Sequence, residues 1–371
     1  MKLIAKTLTG LEAVLSKEIE NIGGKNIEIV KRAVVFHGDL ELLYKANLHL
    51  RTAIRILVAI KSFDAKNEDE LYRKAKEIDW PEYFKLSQTF SIDTNVTSDI
   101  FRHSKYVAYK VKDAIADKFR EKYGRRPNVN TYNPNAKFNV RIYNTTVEIS
   151  LDSSGTSLHQ RGYKVESLDA PLSEVLASGI LLNTDFTTKK HFFDPMCGSG
   201  TLLTEALMIN INMAPNLMRE HFGFMNWTNY KERLWKDIKK KAQDSVIPPS
   251  IIFSGSDISR KAVFATKKNL SILPYGNDVT IVKKDFFKIE SCSENPFIIM
   301  NPPYDIRLKE DEIIKFYKKI GDKLKQDCAP CDAWIFSGNI PALKQFGLKP
   351  SKKVKMMNGK IDAELRHFSI Y

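Results

Sequence analysis

The chain is short of cysteine, of acids and of long apolar runs, and each shortage closes off a class of protein. Four cysteines in 371 residues (Cys197, Cys292, Cys328 and Cys331) make no disulfide framework. Cys328 and Cys331 have the spacing of a metal-ligand pair, but no second pair exists and zinc usually takes four ligands. They read as two loop thiols in a reducing compartment, and no metal site is expected. No stretch approaches the roughly 18 uninterrupted apolar residues of a membrane span. Met1–Ala5 carries one charged side chain and no long apolar region follows it, so a secretory leader is not expected. The expectation is a cytoplasmic protein, monomeric by default, without repeats or low-complexity tracts.

The deficit of acids is the most telling: 44 Asp and Glu face 58 Lys and Arg, a net charge of +14. Such an excess points to a polyanionic partner. It is concentrated. Between Phe101 and Arg141 eleven basic residues meet three acidic ones. Arg102, His103, Lys105, Lys110 and Lys112 are followed by Arg120, Lys122, Arg125 and Arg126, with Tyr106, Tyr109, Tyr123 and Tyr132 interleaved. Phosphate neutralisation and base stacking both suit that mixture, although a solvated basic helix face over core tyrosines has the same composition. Of these, Arg102, His103, Lys105, Lys112, Arg120, Arg125 and Arg126 are the candidate nucleic-acid contacts.

With 371 residues, 43% of them hydrophobic, the chain suffices for two or three domains with packed cores. Residues 1–65 alternate strand-like and helical pieces, a small α+β unit. Residues 66–155 continue with a helix over Glu68–Ile78, a strand over Thr89–Thr94, a helix over Tyr106–Tyr123 and strands at Asn139–Tyr143 and Thr146–Leu151. Residues 156–371 form the third unit, interrupted by a Trp-, Lys- and Pro-rich helical insertion at about 212–249.

Two motifs in that third unit carry chemistry. Asp194-Pro195-Met196-Cys197-Gly198-Ser199-Gly200-Thr201 follows the apolar Phe192-Phe193, and Asn301-Pro302-Pro303-Tyr304 follows Phe297–Met300. Each sits where a buried parallel strand would end, so both can line one crevice at the carboxyl edge of a sheet. Gly198 and Gly200 let the backbone turn sharply against a ligand. A dinucleotide loop would carry a third glycine, but position 203 is Leu, and an acid precedes the glycines. That acid repels phosphate and suits a cationic amine, which favours S-adenosylmethionine over NAD. Read alone, the loop is equally an ordinary glycine-rich turn.

The second motif is more specific. Asn301 offers a side-chain carbonyl and Pro302 a backbone carbonyl, two acceptors for the two hydrogens of an exocyclic base amine. The prolines hold the loop stiff and extended, and Tyr304 offers a stacking face. Between the motifs, Ile251–Asp257 reads as a strand ending in an acid placed for ribose hydroxyls. Thr280–Phe286 reads as the next strand, with Asp285 able to accept from an adenine amine and Phe286 beside the ring. Either Asp can instead be a helix N-cap.

DPMCGSGT, GSDIS at 255–259, DFF at 285–287 and NPPY, in that order, resemble the class I S-adenosylmethionine-dependent amino-methyltransferases. LHQRGY at 158–163, APLSE at 170–174 and MNGKIDAEL at 357–365 resemble the THUMP-containing RNA methyltransferases, and within them the large-subunit 23S rRNA guanine-N2 enzymes. The resemblance implies an α/β fold: a Rossmann-like methyltransferase domain with a mostly parallel seven-stranded sheet, preceded by α+β ferredoxin-like (1–65) and THUMP (66–155) domains. It implies S-adenosylmethionine as cofactor and structured RNA, 23S rRNA or an assembly intermediate, as partner. It adds Ile258 and Ala170–Glu174, including Pro171 and Leu172, to the cofactor pocket, and a terminal hairpin. Cys197 is then an ordinary loop occupant, not a nucleophile. His159, Arg161 and Lys164 are left either to touch RNA or to hold the domain junction. A tRNA guanine-N2 enzyme, a DNA adenine-N6 methyltransferase and a non-catalytic ribosome-assembly factor are the alternatives.

Overall fold

A computed structural model of the protein describes residues 1–371 except 167, 169–171, 293 and 305–309. The chain builds two sheets. The first has eight strands: β1 (Lys2–Lys6), β2 (Lys25–Val30), β3 (Ala33–His37), β4 (Arg55–Asp64), β5 (Thr89–Thr97), β6 (Asn128–Val129), β7 (Ala136–Tyr143) and β8 (Thr146–Asp152). Their order is β2-β3-β1-β4-β8-β7-β5-β6. β4 pairs antiparallel with β1 on one side and with β8 on the other, so the α+β unit and the unit after it share one continuous sheet.

Helices α1 (Glu12–Asn21), α2 (Leu40–His49), α3 (Glu68–Lys76) and α4 (Ser104–Tyr123) pack on this sheet and on one another. Local chemistry sets their ends. Asp39 and Asn67 cap α2 and α3 by accepting from the amides of Leu42 and Glu70, each at 2.9 Å. Gly124, at φ +69°, ends α4 in the left-handed conformation. Strand β7 alternates as a half-buried strand should, sending Ala136, Phe138, Val140 and Ile142 inward.

The second sheet holds β9 (His191–Asp194), β10 (Ile252–Asp257), β11 (Thr280–Lys283), β12 (Phe297–Met300), β13 (Cys331–Ser337), β14 (Lys352–Asn358) and β15 (Ile361–Ile370), ordered β11-β10-β9-β12-β13-β15-β14. The first five are parallel and the closing β14–β15 hairpin is antiparallel. This is the mostly parallel seven-stranded sheet that the sequence leads one to expect. Helices α5 (Glu174–Leu182), α6 (Thr201–Asn210), α7 (Glu232–Asp244), α8 (Arg260–Leu270), α9 (Glu310–Asp327) and α10 (Ile340–Lys344) complete the unit. All four residues of β12 are buried, the pattern of a central parallel strand covered on both faces. β9 lies between β10 and β12, so strand order reverses there and a crevice opens at the carboxyl ends of β9 and β12.

The insertion fastens the two halves together. Arg219 spreads its guanidinium over the carbonyls of Ser154, Thr156, Ser157 and Gln160 at 2.8–3.3 Å. Asn216 donates to Asn47 O at 2.9 Å. Phe222, Phe224 and Trp235 pack edge and face around Tyr44 of α2. Arg161 is 1% exposed. It donates to the carbonyls of Leu158 and Arg51, which settles its choice in favour of the junction over RNA. Lys164 pairs with Glu174 of α5, within the third unit, at 2.9 Å.

Two expectations fail. Cys328 is no free loop thiol but is disulfide-bonded to Cys292, while Cys331 is buried on β13. The Cys292 amide donates to Asp327 O at 3.0 Å, laying the loop before β12 on the end of α9. That brings the two Cα atoms to 4.8 Å, within disulfide reach. The strand from Thr280 also stops at Lys283, because Asp285 accepts from the Phe287 amide and caps a short 3-10 turn.

Candidate active site

The two motifs meet. The loop after β9 and the loop after β12 border one cleft of about 140 Å³, whose walls include Asp194, Met196, Cys197, Gly198, Ser199, Thr201 and Asn301. Leu172, from the segment ahead of α5, lines it too. Pro171 lies outside the described residues.

The glycine loop is built for close approach. Gly198 and Gly200 have φ of +56° and +78°, and a Cβ on Gly200 would come within 2.7 Å of the Thr266 side chain. The Thr266 hydroxyl donates to Gly198 O at 2.8 Å, and Asn269 Nδ2 donates to Ser199 O at 3.0 Å. Both residues lie on the buried face of α8, and sequence reasoning missed them. The available signal was polar residues recurring on the apolar face of a helix. The Gly198 amide donates to Asp257 Oδ2 at 3.0 Å and the Ser259 amide to Asp257 Oδ1 at 2.8 Å. Ser259, not Asp257, caps α8. Ile258 is largely exposed beside it.

Two groups in the cleft are short of partners. Asp194 is buried and accepts from the Met196 amide at 3.1 Å. Burial pushes its carboxyl up to about 8, the Met196 hydrogen bond opposes this, and the Asp257 charge adds to it. The Thr201 hydroxyl, in the first turn of α6, is buried without a hydrogen-bond partner. A buried acid seeking a cation and an orphaned hydroxyl fit the charged amino-acid end of S-adenosylmethionine. The Cys197 thiol is also pushed up, by burial first and by Asp194 second, which leaves it protonated and no nucleophile. Asp285 sits on the 3-10 turn after β11, and Phe286 packs in the core between β12 and α9.

On the second loop, Pro302 is buried and Pro303 exposed. The Tyr317 hydroxyl donates to Pro303 O at 3.3 Å. Tyr304 is half-buried, with Phe336 edge-on at 6.4 Å between ring centroids.

The basic segment splits in two. Arg102, His103, Lys105, Arg125 and Arg126 are exposed. Lys112 and Arg120 are spent on Asp113 and Asp117 at 2.9 and 2.8 Å. The tyrosines are on the surface: lysines stand over Tyr106, Tyr109 and Tyr123 at 5.6–5.7 Å, and Tyr132 is 98% exposed.

Fold and cleft together define a class I methyltransferase. The "RMKL-like, methyltransferase domain" family model matches residues 161–367, the RlmL ferredoxin-like model 2–57 and the THUMP model 65–152. A Synechocystis sp. protein provisionally named an RNA methyltransferase is 35% identical across 99% of this chain and 96% of its own length. Ribosomal RNA large subunit methyltransferase K/L of Syntrophotalea carbinolica is 31% identical across all of this chain, which spans 54% of that protein. The SMU.472 methyltransferase, solved with S-adenosylhomocysteine, superposes with a TM-score of 0.89 at 28% identity, covering 100% of this chain and 98% of its own. The chain belongs to the RMKL-like methyltransferase family, with RlmL-type ferredoxin-like and THUMP domains ahead of the catalytic one. S-adenosylmethionine is its methyl donor.

Proposed function

We propose that the protein methylates the exocyclic N2 amine of a guanine in 23S rRNA. The observation that carries this reading is that Asn301 stands in the wall of the same cleft as the glycine loop. An amine bound there lies beside the methyl donor. The ferredoxin-like and THUMP matches and the relative named as a large-subunit rRNA enzyme support RNA, and rRNA in particular, as the substrate. The reading puts the enzyme in the cytoplasm. The reading takes the protein as a monomer.

When bound, S-adenosylmethionine supplies a methyl group on an electrophilic sulfonium. Asp194 and Thr201 would hold its amino-acid end and Asp257 its ribose, with Leu172 in the cleft wall. Asn301 and the Pro302 carbonyl accept the two amine hydrogens and turn the nitrogen lone pair toward the donor. Tyr304 stacks on the flipped base. Positioning of this kind accounts for much of the rate, and no general base is required if the proton leaves after the methyl arrives. Arg102, His103, Lys105, Arg125 and Arg126 neutralise phosphates, and Lys112 and Arg120 join them once released from their aspartates.

Nucleoside mass spectrometry of 23S rRNA and tRNA, from cells with and without the gene, tests the reaction. Loss of N2-methylguanosine from one 23S fragment is expected. Loss from tRNA alone moves the substrate, and no change in any methylated nucleoside overturns the proposal.

Two further results are expected. Cofactor affinity depends on pH through Asp194, whose carboxyl titrates at about 8. Below that pH it is protonated and pairs poorly with an ammonium. The cofactor's own α-ammonium loses its proton from about pH 8 upward. Affinity therefore peaks near pH 8, and Asp194→Asn removes the acid limb of the profile. Calorimetric titration across that range checks it, and a flat acid limb in the wild type counts against the assignment. Replacing Arg125 and Arg126 with Ala weakens RNA binding whatever the sequence. It also lowers the slope of log affinity against log salt by about 1 per residue.

A further inference from the structure

The oxygen that the base amine needs already holds one donor. Tyr304 Oη donates to Asn301 Oδ1 at 2.6 Å, and Asn358 Nδ2 donates to Tyr304 Oη at 3.3 Å. Asn358 is the last residue of β14, at the turn of the terminal hairpin, and no step described above uses that hairpin. The seat around Tyr304 is closely made. Its backbone carbonyl accepts from Asn339 Nδ2 at 3.0 Å, and a Cβ on Gly338 would stand 3.1 Å from its ring. Burial pushes the Tyr304 hydroxyl up to about 12, so it keeps its proton and donates throughout the neutral range.

A tyrosine O–H and an exocyclic amine are both donors, and here they share one acceptor. Its two lone pairs can hold both, but two donors on one oxygen weaken each other's hydrogen bond, so an amine on Asn301 Oδ1 binds more firmly when the hydroxyl has a second acceptor at hand. Asn358 supplies one, because a carboxamide carries an acceptor oxygen beside its NH2 and half a turn of the amide exchanges them. We propose that Asn358 is a positioning residue that takes over the Tyr304 hydroxyl when the target base enters, releasing the Asn301 oxygen to the amine. The inference rests on the reading of Asn301 as amine acceptor. The Tyr304 O–H moves from Asn301 Oδ1 to Asn358 Oδ1, and a base N–H takes the vacated lone pair. The terminal hairpin thereby serves base binding through Tyr304.

A double-mutant cycle on the full chain tests this, read as kcat and KM for methyl transfer to RNA. Asn358→Ala raises KM about tenfold, the size of one unmade hydrogen bond, with kcat little changed. In a Tyr304→Phe background no phenolic proton needs rehousing, and the same substitution changes KM by less than about twofold. A tenfold penalty that persists in that background makes Asn358 merely structural and overturns the proposal. So does an unchanged KM in Asn358→Ala, or a Tyr304→Phe protein without activity. A wild type that methylates no RNA refutes the functional reading instead. The contact is then read without RNA, from the ζ-13C resonance of Tyr304, assigned by its loss in Tyr304→Phe. That resonance shifts in Asn358→Ala, and an unmoved one removes the seat itself.

Discussion

Asn301→Ala lowers the methyl-transfer rate at least 100-fold and leaves S-adenosylmethionine affinity within about threefold. The size follows from what the side chain does: an oriented polar group at a reacting centre is typically worth 10²–10³ in rate. Among the described residues of the second loop, Asn301 alone lines the cleft of the glycine loop, so its loss unhooks the amine without disturbing Asp194, Thr201 or Asp257. Single-turnover transfer from labelled cofactor measures the first number and calorimetry the second. Near-normal turnover in the variant sinks the role assigned to Asn301. An equal fall in cofactor affinity makes the residue part of the cofactor pocket instead. Asn301→Asp separates charge from shape: it keeps an acceptor, and a protonated carboxyl donates where an amine needs acceptance, so its activity recovers as pH rises above the ordinary carboxylate range.

What the sequence disclosed and what it hid divide along physical lines. The cofactor loop was legible because glycines, a strand-end acid and an apolar strand before them are local features, although only Phe192 and Asp194 of β9 are buried. NPPY was legible for the same reason. That the two loops share a cleft depends on β9 lying beside β12, a pairing made across more than a hundred residues that only the doubly wound topology predicts. The edge strand β2 went unread since its residues are mostly exposed and lack alternation. The disulfide joins cysteines 36 residues apart that no spacing rule links. The groups that tune the site come from afar: Thr266 and Asn269 from α8, Asn339 after β13, Asn358 from the hairpin. The charge count misled in one respect. Composition cannot tell that Lys112 and Arg120 already have acidic neighbours.

The junction between the halves yields the other large effect. Glu205, in the middle of α6, is wholly buried. It accepts from the hydroxyls of Tyr163, at 3.0 Å, and Ser178. Arg161 Nε stands 3.5 Å from it, an ion pair without a hydrogen bond. Arg51 comes from the N-terminal half to donate to Met208 O and Met213 O at the far end of α6, where a cation also suits the helix dipole. Burial lowers the Arg51 guanidinium to about 10, and the charges of Glu205 and then Glu18 oppose that. Glu205 thus faces the buried Arg161 directly and the half-buried Arg51 through its charge. Glu205→Gln preserves shape and removes the charge, leaving Arg161 without its ion pair and Arg51 with Glu18 alone, and lowers unfolding free energy by about 3–5 kcal/mol. Glu205→Leu with Arg161→Met removes charge on both sides and restores much of the loss, as apolar replacement of buried pairs commonly does. Urea unfolding followed by tryptophan fluorescence measures both variants. Because α6 carries the cofactor loop at one end and the Arg51 contact at the other, the Gln variant also loosens the grip of the N-terminal half on the site. If Glu205→Gln unfolds at the wild-type midpoint, the pair is electrostatically idle and the halves are held by their other contacts, the Arg219 fan and the aromatic cluster among them.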